Sequence, residues 1–103
     1  MVIRRPRSEF ILNEYYSMIW ARIKGSWTLP ENLVKEMVDL KTIIVIIIER
    51  DGKVKQIWFE EKSGDAPYDR SAIRAIKKAE PLPILPKELG ENVLEVGIRF
   101  RPE

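Results

Sequence analysis

The residues best suited to chemistry lie between Lys53 and Asp69, where lysines, carboxylates, a serine and three aromatic rings are crowded together. Glu60, Glu61, Asp65 and Asp69 offer paired carboxylates for acid–base work. On adjacent strand positions, however, Glu60 and Glu61 point to opposite faces, and Asp65 and Asp69 suit the start of a helix. Ser63-Gly64-Asp65 is no nucleophile elbow and has no histidine to activate it, because the 103-residue chain contains none. Cysteine is absent as well, which removes thiolate nucleophiles, disulfides and cysteine metal sites. Gly52 and Gly64 stand alone, so no phosphate-cradling loop is spelled out. These residues predict neither a catalytic site, a metal site nor a bound cofactor.

Aromatic rings among lysines raise a second chemistry, the stacking of nucleic-acid bases. Trp58 and Phe59 sit among Lys53, Lys55 and Lys62. Consecutive strand residues face opposite ways, so the two rings cannot share one platform, and Glu60 and Glu61 would repel phosphate. The spacing assigns Phe59 to the core and leaves Trp58 partly exposed. Formal net charge is +2. Arg4, Arg5 and Arg7 fall in the first eight positions, where there is no acid, and the remainder carries 15 basic against 16 acidic residues. That balance is no nucleic-acid footprint. An RNA-binding α+β domain remains the alternative from a different class, and a hydrolase the last option.

Elements must position whatever works here, and the sequence punctuates them clearly. Residues 1–8 read as a basic flexible tail and 9–103 as one domain, large enough for a single modest core. Leu12, Tyr15, Tyr16, Ile19 and Ile23 make a stripe at helical spacing, with Ser8 as cap and Gly25 as a left-handed exit. Trp20 adjoins the stripe, Trp27 lies beyond the glycine, and Pro30 keeps the helix from resuming. Residues 31–41 read equally as short helix or loop. Two β-rich runs follow, joined at Asp51-Gly52, a pair suited to a two-residue hairpin turn with positive φ at both positions. Asp65 caps a second helix, Pro67 fits its first turn, and Ala72, Ile73, Ile76 and Ala79 form its buried face. "PLPILP" is extended, because each residue before a proline is pushed out of the helical region. In the last strand Leu94, Val96, Ile98 and Phe100 face one way, and Val93, Glu95, Gly97 and Arg99 the other.

The class is therefore α+β, with order α-β-β-α-β. A right-handed crossover lays the third strand beside the first, giving a three-stranded antiparallel sheet of order 2-1-3 packed against two helices. Strand three is then an edge. Both faces of the central run Ile43–Ile48 are apolar, where one-sided cover would give alternation. Either residues 27–40 cover the second face, or a partner or second copy of the domain does. No apolar run is long enough to span a bilayer.

Read in order, "IERDGKV", then "EEKSGDAPYDRSAIRAIKKAEPLPILP", then "LEVGIRFRP", after an opening with Tyr16, Ile19, Arg22, Ile23, Trp27 and Pro30 in register, resemble the C-terminal domain of the TonB/TolA family. The resemblance runs from about Tyr15 to Pro102. Lys62 stands where many relatives have a serine, and the opening is closer to TolA-type chains. The resemblance implies a periplasmic, non-enzymatic adaptor tethered to the inner membrane by an N-terminal segment outside this chain, through which it meets proton-driven motor proteins. A TonB-type domain would bind an extended segment of an outer-membrane transporter; a TolA-type domain would engage Tol-system envelope proteins. The TonB type is preferred. On TonB-type relatives the partner adds at the last strand, here Asn92, Val93, Leu94, Glu95, Val96, Gly97, Ile98, Arg99 and Phe100.

Overall fold

The computed structural model describes residues 7–29 and 39–102. The first helix, α1, spans Arg7–Ser26. Strand β1 spans Thr42–Glu49 and β2 spans Val54–Glu61. Helix α2 follows at Ala66–Ala79, a short 3-10 turn at Lys87–Leu89, and strand β3 at Val93–Phe100. The sheet has the order β2-β1-β3, with both pairings antiparallel. The α-β-β-α-β order and the 2-1-3 sheet are those expected from the sequence.

The core lies between one face of the sheet and the two helices. Ile44, Ile46 and Ile48 of β1 are fully buried there, joined by Val96, Ile98 and Phe100 of β3. Tyr15, Ile19 and Ile23 supply α1's share, and Ala72, Ala75, Ile76 and Ala79 that of α2. The small alanines let α2 approach closely, and the isoleucines fill the space left. On the stripe expected of α1, Leu12 is only half-buried and Tyr16 lies at 38% exposure, because Trp20 rather than Tyr16 turns towards the core cluster.

Several local expectations need correction. Ser8 is inside α1, which already includes Arg7. Those two residues are therefore helical and not tail; residues 1–6 lie outside the described residues. Gly25 makes no left-handed exit, since the helix continues through it to Ser26. A bond from the Trp27 N–H to the Lys24 carbonyl (3.2 Å) closes that end, where the Trp27 ring is drawn onto Phe100 and Tyr68. Pro30 and residues 31–38 lie outside the described residues, while 39–41 form no helix.

The hairpin turn also differs. Only Gly52 has positive φ (92°), not Asp51. Gly52 N–H bonds the Glu49 carbonyl at 2.9 Å, and Glu49 N–H bonds that of Lys53 at 2.8 Å. That is the three-residue loop with a glycine bulge, the next commonest hairpin connection. The cause lies across the turn, in the "PLPILP" segment. Leu82 N–H donates to the Gly52 carbonyl (2.9 Å) and Leu85 N–H to that of Arg50 (3.0 Å). A Cβ on Gly52 would stand 1.9 Å from the Leu82 carbonyl oxygen. The hairpin tip is shaped to receive this segment.

On the sheet's second face Val45 is buried, Ile43 and Ile47 are half-buried, and Trp58 is 40% exposed. Trp58 is paired directly with Val45, and Phe59 faces the core half-buried, as their spacing required. A bulge between Ile43 and Ile44 sets Glu61 opposite Ile43, where it pairs with Lys41 at 3.1 Å.

Candidate partner-binding edge

Asp65, Asp69 and Glu61 serve the fold. Asp65 caps α2, accepting from the Tyr68 N–H at 2.9 Å. Asp69 is buried and accepts from the Thr42 hydroxyl and, at 3.0 Å, from the Ser63 N–H. It ties β1, the loop before α2 and α2 itself together. Ser63 is engaged with the Asp65 backbone. Among the described residues no cluster of histidine, cysteine or acidic side chains could hold a metal ion, and no helix is long and apolar enough to cross a membrane.

Of the sheet's two edges, β2 and β3, the one flanked by α1 is β3. Among the described residues it pairs on one side only, with β1. Val96, Ile98 and Phe100 are buried and Leu94 half-buried, whereas Val93, Glu95, Gly97 and Arg99 are exposed. The alternation follows from pleating over a one-sided core. Eight of the nine residues expected to form the edge are strand; Asn92 precedes it.

Both ends of β3 are held by side chains from elsewhere. At its start, the Arg50 guanidinium donates to the Asn92 side-chain oxygen. At its end, the Tyr68 hydroxyl donates to the Phe100 carbonyl at 2.9 Å. Trp27 and Trp20 brace the Phe100 ring at centroid distances of 5.1 and 5.7 Å. Trp27 is itself fixed by its Nε1–H bond to the Ser71 hydroxyl (3.0 Å). The tryptophans thus anchor the fold beneath the edge. A strand fixed at both ends and free along one side offers a preformed row of backbone donors and acceptors.

Beside that row runs a groove of about 450 Å³. One wall is Val96, Gly97, Ile98 and Arg99; the other is Tyr16, Ile19 and Trp20 of α1. The helical wall is not legible in sequence, because the spacing of Tyr16 fits the core stripe although its side chain is exposed. The i, i+4 spacing of Tyr16 and Trp20 on the flank of that stripe was the available signal. Tyr68 was also missed, although it extends the Ala72–Ile76 row by one turn.

The TonB C terminal family model matches residues 12–100. Among solved structures, the solution structure of a Helicobacter pylori TonB C-terminal domain superposes with a TM-score of 0.70. It is 17% identical, and the match covers 98% of this chain and 94% of that one. The solution structure of TolAIII bound to a peptide derived from the N-terminus of TolB gives a TM-score of 0.62 at 21% identity. That match covers 100% of this chain and 80% of the other. No curated protein matches the sequence.

Proposed function

The chain belongs to the TonB C-terminal domain family, and from that premise we propose that it is the periplasmic adaptor of a TonB-type energy transducer. It captures an extended segment of an outer-membrane transporter by strand addition at β3. The observation that carries this reading is the free side of β3, held at both ends and flanked by the α1 groove. Backbone pairing tolerates varied partner sequences, which suits one adaptor serving several receptors. The domain acts by binding rather than catalysis. Through an inner-membrane tether it is coupled to proton-driven motor proteins, and it transmits their pull along the paired strands. Affinity is modest, because ordering a flexible peptide costs several kcal/mol of the gross interaction energy.

A TolA-type role, with Tol-system proteins as partners, is the second reading. Its support is the fold shared with TolAIII in complex with a TolB peptide. Both readings use the same edge, and a titration followed by NMR tests it. Amide shifts concentrated in residues 91–101 on adding a peptide carrying a TonB-box segment support the transporter reading. Such shifts with a Tol-system peptide alone favour the second. Shifts confined to the exposed side of α1 reject strand addition.

A further inference from the structure

Glu95, Gly97 and Arg99 follow one another along the outer face of β3, all exposed. Their neighbours on β1 are Ile47, Val45 and Ile43, so neither charge meets an opposite charge from the sheet side. Among the described residues neither takes part in an ion pair. The carboxylate and the guanidinium stand four residues apart, about 14 Å along an extended strand. Between them Gly97 leaves open space, with nothing within 4 Å of where a Cβ would be.

Resting on the strand-addition reading, we propose that this edge reads the order of two charges in the segment it captures. A strand added to β3 shares its faces, so its outward residues lie opposite Glu95, Gly97 and Arg99 and its inward residues enter the groove beside Tyr16 and Trp20. The occupant is an extended segment with apolar residues at alternate positions. Between them it carries one acidic and one basic residue, four apart and on the same face. The acid stands opposite Arg99 and the base opposite Glu95. In an antiparallel arrangement the acid comes first in the partner's sequence, and in a parallel one the base does. Backbone pairing alone would accept either order; the two edge charges make them unequal.

The test uses two end-blocked synthetic peptides of identical composition. Each has valine at alternate positions, with glutamate, threonine and lysine between them in that order or the reverse. Both are titrated into the isotope-labelled protein at low salt, following the amides of residues 91–101. One order should bind about fivefold more tightly than the other, the scale of two cross-strand charge pairs. The preference should shrink as salt rises. It should invert in the Glu95→Lys, Arg99→Glu double variant and vanish in the Glu95→Gln, Arg99→Gln one. All four substitutions are at exposed positions. Whichever order wins, its identity gives the direction of the added strand. Equal affinities for the two orders, with shifts still on β3, would overturn charge reading and leave strand addition standing. A preference that persists in the Gln variant would overturn it as well. Shifts elsewhere, or no binding of either peptide, would sink strand addition and the charge reading with it.

Discussion

The Tyr68 hydroxyl of α2 donates to the carbonyl of Phe100, the last residue of β3, at 2.9 Å. A helix buried under one face of the sheet thereby fixes the end of its free edge. Tyr68→Phe keeps the ring against Trp27 and removes only that bond, so the loss in stability should be about 1 kcal/mol. The more telling readout is hydrogen exchange, where the last amides of β3 should speed up relative to those of β1. Uniform exchange across the sheet would mean that the bond does not hold the edge.

Gly52 is required twice over, by its φ of 92° and by the Leu82 carbonyl oxygen 1.9 Å from a substituent's Cβ. Gly52→Ala should therefore destabilise by about 3 kcal/mol, more than a strained turn alone. Urea unfolding should show a lower midpoint at unchanged slope. A loss below about 1 kcal/mol would show that the Leu82 segment yields easily.

Removing the buried Asp69 carboxylate strands the Thr42 hydroxyl and the Ser63 N–H. Asp69→Ala should cost about 3 kcal/mol, from two abandoned donors. Adding Thr42→Val to that variant should recover part of the loss, because one orphaned group is then gone. If the double variant is less stable than the single one, the hydroxyl is not the group that suffers.

Alkaline pH should find the fold through its buried tyrosines. Burial raises Tyr15 to about 12; burial, with the neighbouring Asp69 charge adding to it, raises Tyr68 to about 12. The neutral phenol is the form the fold favours, and both hydroxyls donate, Tyr15 to the Pro83 carbonyl at 2.6 Å. A folded-state value above the unfolded one means that this contribution is intact below about pH 10. It is lost as pH rises from there towards 12. Melting temperatures should fall across that window, and fall less steeply in the Tyr15→Phe and Tyr68→Phe variants than in the parent. Parallel curves would place the alkaline loss elsewhere.

Much of this was legible in the sequence because the strongest signals are local. Alternation placed Leu94, Val96, Ile98 and Phe100 on one face, Asp65 and Pro67 marked the start of α2, and the helical crossover dictated the sheet order. What escaped depends on contacts distant in sequence. Asp51-Gly52 favours a two-residue turn by itself, but Leu82, thirty positions on, demands the bulged loop. Gly25 looks like a helix exit, but the helix runs on to Ser26 and Trp27 beyond it meets Phe100, a contact 73 positions away in sequence. Tyr16 fits a core stripe by spacing, yet Trp20 takes the inward place and leaves Tyr16 to wall the groove. The edge position of β3 follows from the crossover, whereas the helical wall beside it depends on how α1 packs.

Strand addition at β3 is the central claim, and backbone hydrogen exchange with and without a saturating TonB-box peptide tests it most directly. In an antiparallel sheet alternate residues turn their N–H groups away from the neighbouring strand. The free protein should therefore show alternating fast and slow amides from Val93 to Phe100. On binding, the fast set in β3 should slow markedly while the amides of β2 stay unchanged, since β2 borders the sheet's other side. Protection that appears in α1 around Tyr16 and Trp20, with the fast amides of β3 still fast, would contradict the account and make the helix the docking surface.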